Sequence, residues 1–223
     1  MKSGKIGALD CAYVKSDDSA NVCYILSFAP LDDRWVSMAA ECYGCSIVVV
    51  TGMDWDNDLT PWRAPGVPDG CKPFAGNAGQ FLSKIRHEVI SEAERSLGLS
   101  GIVERTLAGV SLSGLFAIWA WIQCDTFKNV VSISGSFWYE NFTKWISDTA
   151  IPKKTGLAYI SLGRKEPYSP VKAFRTVGDA TTTVVDMLKR SGIQVVFNWE
   201  PGTHYAPLYP RLTNAMDAIF LGK

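Results

Sequence analysis

The sequence has no long apolar run and no excess of charge of either sign. Within its 223 residues, no stretch reaches the roughly 18 apolar residues that a membrane-spanning helix needs. Lys plus Arg and Asp plus Glu number 22 each, without a basic run, so the charge pattern does not favour a nucleic acid or an anionic membrane as partner. Residues 1–11 lack the apolar segment of a secretory signal, and the sequence therefore predicts a cytoplasmic protein.

Metal-binding patterns are scarce as well. The sequence contains only two histidines, and of its six cysteines only Cys42 and Cys45 show Cys-x-x-Cys spacing. No second cysteine pair or histidine cluster accompanies them, so the pattern does not indicate a redox or metal site. Cys23, Cys42 and Cys124 lie in apolar segments, where a free thiol behaves as a small hydrophobic group. We expect a protein with no metal and no cofactor.

Strand-like and helix-like segments alternate along the chain, without an internal repeat or a linker. The predicted strands span residues 22–28, 46–51, 104–110, 130–133, 157–162 and 194–199, with an edge strand over 6–14. The predicted helices span residues 34–43, 80–97, 113–124, 141–147, 171–191 and 207–220. This alternation predicts one domain over residues 1–223, in which helices cover both faces of a mostly parallel central sheet. Ligands of such sheets bind at the carboxyl ends of the strands.

A serine lies between a predicted strand and the helix that follows it. Residues 108–115 read Ala-Gly-Val-Ser-Leu-Ser-Gly-Leu, the context of a nucleophile elbow with Ser111 at its tip. Strand and helix nearly touch at such a turn, so small residues are needed two positions before and after the nucleophile. Gly109 and Ser113 meet this need, although Ser113 stands where the usual pattern has Gly and tolerates strained backbone angles less well.

A serine nucleophile needs a base, and this role usually falls to a histidine. His87 lies in a charged amphipathic segment, which is typical of a solvated helix surface. His204 lies in a Pro- and Gly-containing turn directly after the last predicted strand. The chain order serine, acid, histidine of α/β-hydrolases has its base at that position, so His204 is the predicted base. A turn residue bonded to its own backbone is the alternative interpretation of His204.

The loop after the strand over 157–162 provides a candidate for the acid that orients the histidine. It reads Gly-Arg-Lys-Glu-Pro and places Glu166 at the expected point in chain order. An exposed Arg-Lys-Glu string is also typical of a solvated turn. Asp179 and Asp186 on the following helix are therefore rival candidates, and a serine–histidine pair without a strong acid remains open.

Two backbone N–H groups are expected to stabilise the negative charge on the substrate oxygen, forming an oxyanion hole. One belongs to Leu112, the residue after the nucleophile. The other comes from the loop after the strand over 22–28, where Pro30 has no N–H to offer. Phe28 or Ala29 is therefore the predicted second donor.

The segment over residues 52–76 is long and rich in turn residues, and such segments are usually functional. It follows a central strand and contains Trp55 and Trp62, which could form an aromatic wall over the site together with Trp138 and the nearby Ser136. The alternative is a small satellite core beneath a long loop. No separate lid domain fits between the predicted strands, which disfavours a large lipid substrate.

Four segments together resemble the esterase family of α/β-hydrolases, which includes enterochelin-esterase-like, esterase D-like and feruloyl-esterase-like members. They are the elbow with the Leu-Phe-Ala that follows, Val-Ser-Ile-Ser-Gly-Ser-Phe-Trp over 131–138, Ser-Leu-Gly-Arg-Lys-Glu over 161–166 and Trp-Glu-Pro-Gly-Thr-His over 199–204. The resemblance implies an α/β-hydrolase fold with Ser111 as nucleophile, His204 as base and Glu166 as acid. Besides Ser113, the oxyanion loop departs from the family pattern, because it lacks the His-Gly start of many members.

These observations predict a serine hydrolase that cleaves the carboxylic ester of a small or medium soluble molecule through an acyl-enzyme. An acyltransferase with the same three residues differs only in whether water or another hydroxyl resolves the intermediate. A catalytically weak ligand-binding protein on the same fold is the further alternative. The sequence is compatible with a homodimer and does not define the natural substrate.

Overall fold

The computed structural model describes residues 2–16, 20–99 and 103–222 and contains an eight-stranded sheet with the order β1-β2-β4-β3-β5-β6-β7-β8. The strands are β1 (Lys2–Ile6), β2 (Leu9–Val14), β3 (Asn21–Leu26), β4 (Ser46–Thr51), β5 (Glu104–Val110), β6 (Asn129–Ile133), β7 (Leu157–Gly163) and β8 (Gln194–Glu200). Every pair from β4 to β8 is parallel, whereas β1 and β2 form an antiparallel hairpin at one edge. The predicted mostly parallel sheet is confirmed.

Helices lie on both faces of this sheet. They are α1 (Asp33–Cys42), α2 (Trp55–Asp58), α3 (Ala78–Lys84), α4 (Ile90–Leu97), α5 (Leu112–Gln123), α6 (Phe142–Asp148), α7 (Val177–Arg190) and α8 (Leu208–Met216). Alternate residues of the central strands are buried on opposite faces of the sheet, so helices have to pack on both faces. In β3, Tyr24 and Leu26 pack into the larger core and Cys23 and Ile25 into the core beneath α1 and α8. Burial on both faces accounts for the unbroken apolar runs of the strands.

The direction in which the chain adds successive strands to the sheet reverses at β3. The chain passes from β3 to β4 on one side and then to β5 on the other side of β3, so β3 and β5 are neighbours. The carboxyl ends of two strands that diverge in this way leave a crevice between the connections that follow them. This geometry places the loop after β3 and the turn after β5 at the same crevice.

Several predicted elements differ from those in the structure. The edge strand predicted over residues 6–14 is wrong as a single strand, because a turn with Gly7 at φ 61° divides it into β1 and β2. The helix over 80–97 contains a π-helical turn at Ile85–Val89, and the helix over 171–191 begins as a 3₁₀ turn at Lys172–Thr176. Helix α2 lies in a segment predicted to be an irregular loop.

The long connection between β4 and β5 is packed onto the rest of the fold. Leu59, Phe74 and Phe81 from this connection are buried in the larger core, so it does not form a separate lid. Across residues 2–16, 20–99 and 103–222, no helix is long and apolar enough to cross a membrane.

Candidate active site

Ser111 occupies the sharp turn between β5 and α5. Its backbone has φ 63° and ψ −124°, a conformation that residues other than glycine rarely adopt. Such a conformation costs on the order of 1–3 kcal/mol and persists only where the surroundings enforce it. Here the Ser111 N–H donates to the Ile133 carbonyl at 3.0 Å, and the Ser136 N–H donates to the Ser111 carbonyl at 3.0 Å. The strand–turn–helix context predicted for an elbow is present.

The small residues around Ser111 have distinct roles. A Cβ atom at Gly109 would lie 2.1 Å from the Ser113 carbonyl oxygen, so only glycine fits there. The Ser113 hydroxyl is fully buried and accepts a hydrogen bond from the Val110 N–H at 2.8 Å. It also lies 2.8 Å from the Leu26 carbonyl oxygen, to which it can donate. The serine that replaces the usual glycine therefore links the ends of β3 and β5.

Ser111, His204 and Glu166 lie in one continuous chain of hydrogen bonds. His204 Nε2 is 3.1 Å from Ser111 Oγ, and His204 Nδ1 is 2.9 Å from Glu166 Oε2. Glu166 follows β7 and His204 follows β8, so the parallel sheet brings the three loops to one edge. In the tautomer with hydrogen on Nδ1, Nδ1–H donates a hydrogen bond to the carboxylate and Nε2 can accept one from the Ser111 hydroxyl. The contact between Glu166 and His204 Nδ1 was expected from the sequence.

Glu166 is buried rather than part of a solvated turn, with its side chain 4% exposed. Its Oε1 accepts a hydrogen bond from the Gly163 N–H at 2.7 Å and another from the Ser134 hydroxyl. Burial favours the neutral acid, but hydrogen bonds from His204, Ser134 and Gly163 outweigh it, and the pKa of Glu166 lies below its ordinary value. Glu166 is therefore an anion at neutral pH.

The other candidates for acid and base point to solvent. The rivals Asp179 and Asp186 are both exposed on α7. His87 is exposed in the π-helical turn between α3 and α4. Within the described part of the chain, no group of three His, Cys, Asp or Glu residues is arranged as a metal site.

Four backbone N–H groups lie in the two segments predicted to form the oxyanion hole: those of Leu112, Ser27, Phe28 and Ala29. Leu112 begins α5, where the first N–H groups have no partner in the helix and the helix dipole is positive. Ser27 is excluded as a donor, because its N–H already donates to the Val50 carbonyl at 3.0 Å. The N–H groups of Phe28 and Ala29 form no hydrogen bond with other described residues. The assignment of Leu112 with Phe28 or Ala29 stays a prediction.

A cavity of about 300 Å³ opens beside Ser111. Its walls come from β3 and the loop after it, the end of β5, the His204 loop and α8. Most of the lining residues are apolar: Ile25, Leu26, Ser27, Phe28, Leu31, Trp55, Val110, Ser111, His204, Tyr205, Leu208 and Leu212. Phe28, Trp55 and Tyr205 form what we term the aromatic rim, in which the rings of Phe28 and Trp55 meet edge to face at 5.2 Å.

The aromatic wall predicted from Trp55, Trp62 and Trp138 needs correction, because Trp55 alone of the three lines this cavity. Trp62 packs against Tyr139, Phe142 and Trp145, a group we term the Trp62 cluster. Tyr139 and Phe142 belong to the larger core and Trp62 packs against it, so the loop joins the main core and does not form the satellite core of the alternative interpretation.

Trp138 and Ser136 follow β6 but differ in their surroundings. Trp138 lines a separate cavity and packs on the ring of Phe174 at 4.6 Å. Ser136 is buried, and its hydroxyl lies 3.4 Å from the Ser111 hydroxyl, so it is the member of this loop closest to the reacting atom. Sequence reasoning missed Tyr205 in the rim, for which its position next to His204 is the available signal.

Sequence comparisons identify one curated relative at low identity. No family model matches the sequence. The chain is 27% identical over 183 residues to an uncharacterized protein, YbbA, of Bacillus subtilis (strain 168), covering 78% of this chain and 73% of that protein.

Solved structures resemble it at lower sequence identity. An IroE-like serine hydrolase from Shewanella oneidensis has a TM-score of 0.80 at 17% identity, covering 99% of this chain and 80% of that one. The BES protein from Bacillus cereus has a TM-score of 0.70 at 19% identity, covering 98% of this chain and 95% of that one. The siderophore hydrolase EstA from Aspergillus nidulans has a TM-score of 0.65 at 19% identity, covering 93% of this chain and 87% of that one. The chain therefore has the α/β-hydrolase fold found in serine hydrolases and esterases, consistent with the esterase family that its motifs resemble.

Proposed function

We propose that the protein is a serine hydrolase that cleaves carboxylic esters through an acyl-enzyme, with Ser111 as nucleophile, His204 as base and Glu166 as acid. The observation that carries this proposal is the unbroken hydrogen-bond chain from Ser111 Oγ through both ring nitrogens of His204 to the buried Glu166 carboxylate. A purely structural role does not explain why the serine at its end is held at a positive φ.

In the first half-reaction, Ser111 Oγ attacks the ester carbonyl carbon as its proton passes to His204 Nε2. The negative charge on the carbonyl oxygen is stabilised by the N–H of Leu112 and that of Phe28 or Ala29. Glu166 stabilises the imidazolium. When the bond between the carbonyl carbon and the alkoxy oxygen breaks, the imidazolium proton moves to the leaving alcohol.

In the second half-reaction, a water molecule gives a proton to His204 Nε2 and attacks the acyl carbon. The bond to Ser111 Oγ breaks, the serine regains its proton and the carboxylic acid leaves. The His204 side chain is 35% exposed, so water has access to the base. In acyl transfer, the alternative, an alcohol takes the place of water in this step.

The cavity supports a small or medium neutral ester as substrate. Its volume of about 300 Å³ lies at the lower end of the range for ligand sites. Apart from His204 and Tyr205, none of the side chains that line it is ionisable. An alkyl or aryl group therefore fits beside Ser111 better than a charged one. The cytoplasmic location and the homodimer remain predictions from the sequence.

Turnover of p-nitrophenyl acetate and butanoate tests the proposal. Replacement of Ser111 by Ala should lower kcat by on the order of 10⁴-fold or more without changing the fold, because the nucleophile contributes little packing. Circular dichroism checks the fold. Equal activity of the two proteins would reject Ser111 as nucleophile, and an inactive wild type would favour the ligand-binding alternative. Product analysis with added alcohols separates hydrolysis from acyl transfer.

A further inference from the structure

A buried arginine lies behind the carboxylate of Glu166. Arg211 is on α8, and its side chain is only 5% exposed. Its Nη2 atom donates to Ser134 Oγ at 2.6 Å and lies 3.7 Å from Glu166 Oε1. Burying a guanidinium is costly unless it is paired, and here its Nε is buried without a hydrogen-bond partner in the described part of the chain. The catalytic steps proposed above do not use this cation.

Ser134 connects Arg211 to Glu166 in a directional way. An arginine can only donate hydrogen bonds, so the Ser134 oxygen must accept from Arg211. Its single hydroxyl proton is then available for Glu166 Oε1, to which it donates. Ser134 itself is held at φ 49°, and its N–H donates to the Ser161 carbonyl at 2.7 Å. The donor that faces Glu166 is therefore fixed in direction.

The two oxygens of Glu166 consequently have different partners. Oε1 accepts from Ser134 and Gly163, whereas Oε2 faces His204. Rotation of the carboxylate would break all three hydrogen bonds. The Arg211 guanidinium therefore lies on the Oε1 side of the carboxylate, whereas His204 lies on the Oε2 side.

The charges around Arg211 are few. Glu166 and Glu200 are the acids that interact with it, and burial raises the pKa of Tyr159 to about 12, which leaves that phenol neutral. Burial also lowers the pKa of Arg211 from its ordinary value, against the opposing effect of Glu166. Glu200 is hydrogen-bonded to the Tyr159 hydroxyl at 3.1 Å and to Asn214 at 3.1 Å. The positive charge of Arg211 therefore offsets the negative charge of Glu166 on the side of the carboxylate away from His204.

We infer that Arg211 is a positioning residue, which fixes Glu166 through Ser134 and whose charge opposes uptake of a proton by the His204–Glu166 pair. The inference rests on the proposed function for its catalytic meaning. The sign follows from electrostatics, because a positive charge disfavours an added proton on either member of the pair. Without the cation, the His204–Glu166 pair should bind a proton at higher pH. His204 Nε2 would then stay protonated, and unable to act as a base, up to a higher pH.

The chain offers a direct measurement, because it contains only two histidines. In a His87→Ala background, the histidine ring resonances observed by NMR belong to His204 alone, and their titration does not depend on turnover. Arg211→Met should raise the pH of half-titration by roughly 1 unit. Arg211→Lys keeps the charge and should stay close to the parent value. The acidic limb of kcat/KM should move in the same direction in active proteins.

Lys154→Met is the matched control. Lys154 is also a buried cation, with its side chain 4% exposed, but it pairs with Asp125 and the Cys124 carbonyl and has no contact with the triad residues. This variant should lose stability without moving the His204 titration.

If Arg211→Met does not fold, Ser134→Ala replaces it and should move the His204 titration in the same direction by a smaller amount. A His204 titration unmoved in the folded variant would overturn the inference. If the His204 titration moves in Arg211→Met but the wild type has no esterase activity, the proposed function is rejected and the inference about Arg211 stands.

Discussion

Two aromatic regions differ in how their rings meet solvent. In the aromatic rim beside Ser111, the Phe28 side chain is 75% exposed and Tyr205 is 92% exposed. In the Trp62 cluster, Tyr139 and Phe142 are at most 2% exposed. Two polar groups of the cluster are also paired, since Trp62 Nε1 donates to the Glu140 carbonyl at 2.9 Å and the Tyr139 hydroxyl donates to the Trp62 carbonyl.

We interpret this difference as a division between aromatic residues that stabilise the fold and aromatic residues that are free to contact a ligand. Rings that are buried with every polar atom paired have completed their interactions within the fold. Exposed rings around a concave apolar site expose surface that a ligand can cover. The comparison therefore predicts that changes near Ser111 alter activity and changes in the Trp62 cluster alter stability.

The largest effect after loss of Ser111 should come from His204. His204→Ala removes the group that accepts the serine proton, so kcat should fall by on the order of 10⁴-fold or more. His87→Ala is the matched control and should be close to neutral, because His87 is exposed outside the site. Steady-state turnover of a p-nitrophenyl ester measures both. An essential His87 would refute the assignment of the base.

A comparable but smaller loss is expected for Glu166→Gln. The amide retains the shape of the acid but cannot stabilise the imidazolium, so turnover should fall by up to ~10⁴-fold. The low pKa of Glu166 gives the variant a second signature. A carboxylate with a depressed pKa stabilises the fold above its unfolded pKa, and this contribution is lost as the pH falls through the folded value. Thermal unfolding of Glu166→Gln should therefore depend less on pH in the acidic range, whereas an unchanged acid dependence would contradict the paired carboxylate.

The smallest effects should separate the two aromatic regions. Trp62→Ala should lower the free energy of unfolding by about 2–3 kcal/mol with little change in kcat/KM, because it removes buried apolar surface away from the cavity. Trp55→Ala should raise KM, because its ring lines the cavity, and should lower stability less than Trp62→Ala, because Trp55 packs on the ring of Phe28 whereas Trp62 packs on the several rings of its cluster. Chemical denaturation and ester kinetics on both variants measure the contrast. The reverse pattern would exchange the roles of the two regions.

Much of the site was predictable from chain order. Ser111, Glu166 and His204 follow β5, β7 and β8, and parallel strands bring their carboxyl ends to one edge whatever lies between them. Turn chemistry was also informative, because Gly109 and Ser111 lie in a local pattern with a steric cause. These signals do not depend on the path of any long loop.

The remaining features depend on tertiary packing. Which of Trp55 and Trp62 reaches the cavity is decided by the path of residues 52–76, for which local sequence carries no period. Arg211 lies in the amphipathic helix α8, where an arginine is typical of a solvated face. The β1–β2 hairpin was missed because a single Gly7 marks the turn. For the tryptophans and Arg211 the deciding contacts join residues far apart in sequence, whereas the hairpin pairs the neighbouring segments Lys2–Ile6 and Leu9–Val14.

Covalent labelling tests the central claim, that Ser111 is a nucleophile activated by His204. A fluorophosphonate should add one phosphonyl group to the intact protein, and peptide mass spectrometry should place it on Ser111. The Ser111→Ala variant should remain unlabelled, and His204→Ala should react far more slowly. No labelling of the folded wild type, or labelling at another serine, would contradict the account.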